Sequence, residues 1–223
     1  MNNDLIPGPM AMPVDRVEWM KKLNLSNFIN SYYQYQDVQL CGSAIKILII
    51  GPGQGLDTQI FKWRGYEVTT LDIDQTFNPD LIGSAHDLSM FKDSTFDVLI
   101  ASHVLEHLPA PYLEVCLEEF SRVSAYSIIY LPVAGRHFQS RFKFDLKGID
   151  ISFVFDVFNY LTKPSAAIPK YCAGQHYWEV GIRGFFVSDM LSRFKRNFKV
   201  IKHYRNYDWN PSYNFVLQAI GRK

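Results

Sequence analysis

The sequence predicts an α/β domain built on a mostly parallel sheet with helices on both faces, and three observations carry that reading. Between Ile45 and Pro132 short apolar runs alternate with helix-period segments, the pattern of strand–helix–strand units. The apolar runs are nearly continuous, as strands covered by helices on both faces require. The first run, Ile45 to Ile50, passes straight into the glycine-rich turn Gly51-Pro52-Gly53-Gln54-Gly55 and then into a helical pattern. At 223 residues, 48% hydrophobic and 20% charged, the chain is expected to form one domain around one core.

Taken in order, residues 1–44 read as an N-terminal helical cap. From Val14 to about Tyr35 the residues Val17, Trp19, Met20, Leu23, Leu25, Phe28, Ile29, Tyr32 and Tyr33 recur at spacings suited to one or two short helices. The core spans 45–132, with strands expected at Ile45 to Ile50, Glu67 to Leu71, Phe96 to Ala101 and Ser127 to Leu131. Gln54 to Arg64 reads as a helix stopped by Gly65, because glycine takes the left-handed cap without strain. Pro111 to Val123 is the clearest helix: Leu113, Cys116, Leu117 and Phe120 form an apolar stripe opposite Glu114, Glu118, Glu119 and Arg122. Cys116 therefore reads as core.

From 135 to 184 the alternation fails, and the stretch reads as an insertion, a lid on the substrate side. Its apolar segment Ile151 to Phe158 fits a lid helix, a dimer surface or a contact with a lipid-linked substrate. Residues 185–223 read as a helix, Ser188 to Arg196, followed by a hairpin of Phe198 to Tyr207 and Ser212 to Ile220 around an Asn210-Pro211 turn.

Composition narrows the partners. With 23 basic and 22 acidic side chains the formal charge is +1, so no whole-protein field draws the chain to nucleic acid or anionic membrane. Six basic residues lie between Arg193 and Arg205, but they straddle a helix and a strand and read as a solvated face. Cys41, Cys116 and Cys172 form neither a disulfide framework nor a metal-ligand spacing, which points to a reducing compartment. Met1 to Met12 lacks a basic region followed by an apolar stretch, and no apolar span reaches the ~18 residues of a membrane helix. A cytoplasmic enzyme, with homodimerisation left open, is the expectation.

The glycine turn is the sharpest chemical feature. Glycines let a ligand approach bare main chain, and the following helix offers its first N–H groups. A dinucleotide fingerprint would place its last glycine where Leu56 stands, which weakens a nicotinamide reading. The second strand ends in Thr70-Leu71-Asp72-Ile73-Asp74, so Asp72 stands at the carboxyl edge of the neighbouring strand, where a carboxylate can accept from both hydroxyls of a ribose. Ser102, His103 and His107 follow the next strand at the same edge, where open parallel sheets hold ligands. Glu106 reads as a structural residue.

From about Ile45 to Pro132 the chain resembles the class I S-adenosylmethionine-dependent methyltransferases. The likeness rests on the GPGQG turn, the acidic end of the second strand, Gly83-Ser84-Ala85-His86-Asp87-Leu88, Asp93-Ser94-Thr95-Phe96-Asp97-Val98-Leu99 and Ser102-His103-Val104-Leu105-Glu106-His107-Leu108. The resemblance implies a Rossmann-like, seven-stranded, mostly parallel sheet and S-adenosylmethionine as cofactor. It implies that Gly51, Gly53 and Gly55, with Pro52, pack against the methionine and ribose. Asp72 would hold the ribose hydroxyls, with Ile73 beside it, while Ala85, His86 and Asp87 would frame adenine and Ser102 would line the same crevice. The family often carries an acid at the position of Ser84, which leaves the contact to the adenine amino group open or passes it to Asp87.

Methyl transfer from a sulfonium is an in-line displacement, so alignment is the main task and no metal is expected. An acceptor that carries a proton also gains from a base near neutral pKa, and the candidates are His103 or His107 and, inside the insertion, His176. His176 begins Gln175-His176-Tyr177-Trp178-Glu179-Val180-Gly181, read as a substrate face or, alternatively, as aromatic packing of the insertion. That stretch is loosely similar to bacterial methyltransferases of surface-glycan and small-molecule pathways, which implies an oxygen, or a nitrogen, on a sugar or small molecule. A non-catalytic cofactor-binding protein of the same fold and an NAD-dependent oxidoreductase are the competing readings.

Overall fold

The computed structural model describes residues 21, 24–134, 139–146, 149–156, 176–206, 208 and 212–221. Helix α1 (Leu25–Val38) begins at Asn24, whose side chain accepts the Asn27 N–H at 3.1 Å. Strand β1 (Lys46–Ile50) leads through the glycine turn to α2 (Leu56–Trp63), then β2 (Glu67–Asp72) and the two-residue β3 (Leu81–Ile82). Strand β4 (Phe96–Ser102), helix α3 (Tyr112–Val123) and strand β5 (Ser124–Pro132) complete the repeating part. After the hairpin β6 (Gln139–Leu146) and β7 (Ile149–Asp156) come α4 (Val187–Phe194), β8 (Phe198–Asn206) and β9 (Ser212–Ala219).

The main sheet has seven strands in the order β3-β2-β1-β4-β5-β9-β8. The first five are mutually parallel, and β9 runs antiparallel between β5 and β8. From β1 the chain winds to one edge through β2 and β3, then returns to β4 and winds the other way. The order therefore reverses between β1 and β4, and ligands of open α/β sheets bind beyond the carboxyl ends at such a switch.

Each central strand feeds two cores, as its unbroken apolar run demands. Ile47 and Ile49 of β1 join Val38 of α1 and Phe61 of α2, while Leu48 and Ile50 face Leu117 and Phe120 of α3 and Phe194 of α4. Cys116 is core as expected, and burial pushes its thiol, like that of Cys41, up to about 12. Behind the sheet the fully buried Asp37 accepts from Tyr130 at 2.6 Å, Tyr204 at 2.8 Å and the Lys202 ammonium at 3.0 Å, which ties α1 to β5 and β8.

The differences from expectation have local causes. Strand β5 starts at Ser124, three residues early, because Ser124 and Ser127 are polar yet fully buried; Ser124 Oγ donates to Phe120 O at 2.8 Å and so costs the core little. Strand β3, short and exposed, has no pattern to read. The segment 149–156 is a strand paired antiparallel with 139–146, not the helix the lid reading favoured. Its apolar Ile149, Ile151, Phe153 and Phe155 alternate with period two, a strand signal that the long apolar run concealed. The Asn210-Pro211 turn, Cys172 and the residues before 21 lie outside the described part.

Candidate active site

One wall of the crevice beyond β1 and β4 is mostly main chain. At Gly51 the backbone turns left-handed, φ 66°, and its N–H donates to Leu71 O at 2.8 Å. A Cβ at Gly51 would lie 2.6 Å from Val104 Cγ2, so both the dihedral and the close approach of the next loop require glycine. Gly53 and Gly55 also have positive φ, and the Gly55 N–H donates to Pro52 O at 2.8 Å to close the turn at the start of α2. In the first turn of α2 burial pushes the Asp57 carboxyl up to about 6, against hydrogen bonds from Thr58 and Gln34 that lower it.

Asp72 stands at the end of β2, as expected. Its Oδ1 accepts the Asp74 N–H at 2.9 Å and its own carbonyl accepts the Gly83 N–H at 2.9 Å, which fixes the carboxylate and brings the next segment beside it. Ile73 is exposed next to it. Ala85 is buried in the core, His86 Nδ1 meets Ser84 Oγ at 2.6 Å, and the His86 ring lies 4.9 Å from that of Tyr112. Asp87 is exposed and accepts the Ser89 N–H at 3.1 Å; bonds from Ser89 hold its carboxyl below the usual range. Arg122 of α3 clamps this loop, donating to Leu88 O at 2.9 Å and Phe91 O at 2.8 Å while pairing with Glu119, which accepts the Leu88 N–H at 2.8 Å.

The other wall is made of ionisable side chains. Strand β4 ends at Ser102, whose Oγ accepts from Asn30 Nδ2 of α1 at 3.1 Å. Asn27 of α1 donates to Gln54 in the glycine turn, so α1 spans both walls. His103 adopts φ 57°, uncommon for a side chain with a Cβ, and its N–H donates to Tyr130 O at 2.9 Å. In the 3-10 turn that follows, Glu106 is fully buried with its Oε1 3.4 Å from His103 Nδ1. Burial alone would raise its carboxyl, but His103 and the charge of His107 outweigh burial and hold it below its ordinary value.

His176 joins this cluster from far along the chain. The Tyr177 N–H donates to Glu106 O at 2.8 Å, Trp178 Nε1 donates to Leu108 O at 3.1 Å, and the Val180 N–H donates to Pro132 O at 2.9 Å. These bonds seat the His176 ring 4.9 Å from that of His107, edge to face. His176 Nδ1 pairs with Glu179 Oε1 at 2.7 Å; burial lowers its pKa, while Glu179 and the charge of Glu106 raise it to a net value above the ordinary one. Trp178 is fully buried and stacks on Phe185 at 4.7 Å. The aromatic part of the HYWEVG stretch is thus packing, and His176 and Glu179 are its polar contribution to the site.

Of the expected residues the structure gathers His103, His107 and His176 around Glu106, and it adds four that the sequence did not single out as site residues: Asn27, Asn30, Glu106 and Glu179. Only Glu106 carried a local signal, as an acid between two histidines in a loop after a buried strand.

Residues 48–125 match the methyltransferase-domain family. The match runs from within β1 to the start of β5 and takes in the glycine turn and Asp72. No curated protein matches by sequence. Among solved structures, a SAM-dependent methyltransferase from Archaeoglobus fulgidus superposes with a TM-score of 0.60 at 13% identity, covering 92% of this chain and all of that one (100%). The 1,6-didemethyltoxoflavin-N1-methyltransferase of Burkholderia thailandensis, solved with S-adenosylhomocysteine, gives 0.50 at 14% identity, over 96% of this chain and 93% of that one. The glycopeptide N-methyltransferase MtfA, solved with S-adenosylmethionine, gives 0.54 at 12% identity, over 85% and 93%. The glycine cradle that a Cβ would fill, and a carboxylate fixed at the end of β2, suit this cofactor's methionine and ribose. Among the described residues no helix is long and apolar enough to cross a membrane.

Proposed function

We propose that the chain is an S-adenosylmethionine-dependent methyltransferase acting on an oxygen or nitrogen of a small molecule or sugar. The observation that carries this reading is the ionisable cluster Glu106, His107 and His176, with donor atoms within 4.8 Å of one another. It follows directly on Val104, whose side chain packs against Gly51 of the donor wall. Gly51, Pro52, Gly53, Gly55 and Ser102 would line the donor crevice, Asp72 would hold the ribose, and Ile73, Ala85, His86 and Asp87 would frame the adenine.

When bound, S-adenosylmethionine supplies an electrophilic methyl: the acceptor's lone pair forms the new C–O or C–N bond while the C–S pair departs on sulfur as S-adenosylhomocysteine. The chain's own residues contribute alignment, which can be worth several kcal/mol when two reactants are held at near-attack distance. Asn27 and Asn30 close α1 over the crevice, and the acceptor's proton leaves at the Glu106–His107–His176 cluster. A compact cluster suits a small acceptor, as does the +1 net charge, which gives a polyanion no purchase. Two of the structural neighbours are N-methyltransferases, of 1,6-didemethyltoxoflavin and of a glycopeptide.

A screen with methyl-labelled cofactor against sugars, glycopeptides, phenols and nitrogen heterocycles tests this reading. Label should reach a small acceptor. Cofactor binding with no transfer to any acceptor would instead mark a non-catalytic binding protein.

A further inference from the structure

We infer that Glu106, His107 and His176 bind one divalent transition-metal cation, which takes the hydroxyl of the acceptor as a further ligand. The cation site stands on geometry alone; its use in catalysis rests on the methyl-transfer reading above.

The three donor atoms lie within 4.8 Å of one another. A carboxylate oxygen and two imidazole nitrogens bound to one tetrahedral ion at about 2.0–2.2 Å stand about 3.3–3.6 Å apart, so side-chain shifts that close the set by up to about 1.5 Å complete it. Glu106 supplies the independent sign of a ligand. It is 0% exposed, its Oε1 has only the His103 imidazole beside it at 3.4 Å, and neither carboxylate oxygen accepts a well-formed hydrogen bond among the described residues. A buried carboxylate needs compensating charge; His103 supplies part of it on one side, and a dication between Glu106 and the two other imidazoles would supply it on the side facing them.

The surroundings are those of a metal ligand shell. Glu179 holds His176 Nδ1 at 2.7 Å, which leaves Nε2 as the ligating nitrogen of a neutral ring, the carboxylate–histidine–metal arrangement. The backbone bond from Tyr177 to Glu106, 2.8 Å, locks the two ligand-bearing segments in register. One carboxylate with two imidazoles suits Zn²⁺, Fe²⁺, Co²⁺ or Mn²⁺ better than Mg²⁺ or Ca²⁺, and three protein ligands leave positions for substrate. A hydroxyl on such an ion ionises near neutrality; its proton passes to bulk water and the oxygen lone pair becomes the nucleophile. The acceptor class narrows accordingly to a molecule with an ionisable hydroxyl, such as a phenol or a sugar.

Chelator-treated full-length protein, titrated with Co²⁺ and with Zn²⁺ and followed by visible absorption and elemental analysis, decides the matter. One equivalent per chain is expected, with ligand-field bands from Co²⁺, and no comparable binding of Mg²⁺. His176→Ala and Glu106→Gln should abolish the bands, Glu179→Gln should weaken affinity about 10- to 100-fold, and His203→Ala, outside the cluster, should change nothing. Because Glu106 is buried, circular dichroism melting accompanies its variant, and His176→Ala carries the test if Glu106→Gln does not fold. Less than about a fifth of an equivalent in the wild type, or unchanged binding in His176→Ala, overturns the proposal. S-adenosylhomocysteine titrated into the metal-free protein separates the two readings: binding there with no cation site would sink this inference and leave the methyltransferase intact.

Discussion

The two walls of the crevice are built from different material. On the side proposed for the donor, Gly51, Gly55 and the carbonyl of Asp72 present mostly backbone shaped by steric necessity, with one carboxylate added. On the side proposed for the acceptor, Glu106, His107 and His176 are ionisable side chains brought together by long-range bonds. A change on the first wall acts through shape and should register as lost cofactor affinity. On the second, it acts through charge and should register as lost turnover.

The largest effect that would separate the walls is on rate. His176→Ala should lower turnover by about 10²- to 10⁴-fold while leaving S-adenosylhomocysteine affinity within about twofold, measured by steady-state kinetics and calorimetry on the same preparation. Equal losses in both would erase the distinction. Next in size is Gly51→Ala, whose Cβ meets Val104 Cγ2 at 2.6 Å. Calorimetry should show cofactor affinity reduced about 100-fold, or ~2.7 kcal/mol.

Arg122→Ala should sharpen the donor wall from behind. It frees the carbonyls of Leu88 and Phe91 and one partner of Glu119, and should cost about 2 kcal/mol of stability in denaturant melts, with weaker cofactor binding. The smallest effect expected is at Asp57, where burial raises the carboxyl from 3.8 to about 6. The folded state then holds the proton more tightly than the unfolded one. This contribution is fully present below pH 3.8 and is lost as pH rises through about 6. Asp57→Asn removes the penalty of ionisation and should gain up to ~2 kcal/mol over the wild type at pH 8, with no gain at pH 3.5, in paired thermal melts.

The same contrast decides how much the sequence reveals. The donor wall is local: strand, GPGQG turn, helix and Asp72 follow one another along the chain, and each is placed by its own neighbours. The acceptor wall is not. His176 reaches His107 only through the Tyr177 and Trp178 hydrogen bonds, and Asn30 reaches Ser102 only because α1 packs across the sheet. Glu106 reads as a structural acid until its burial beside His103 is seen. Trp178 misleads in the opposite sense, since an aromatic residue in a polar loop resembles a binding surface until Phe185 is found stacked on it. In the fold, the parallel strands are legible from their unbroken apolar runs, whereas β3 and the start of β5 are not: one is too short for a pattern, the other buries serines that bond to the backbone or to each other.

The most direct test is calorimetric titration of the wild type and of Asp72→Ala with S-adenosylhomocysteine and, separately, with NADH. One equivalent of S-adenosylhomocysteine should bind the wild type, at least about tenfold more weakly to Asp72→Ala, and NADH should bind neither. NADH binding in the absence of S-adenosylhomocysteine binding would contradict the assignment of this crevice to methyl donation.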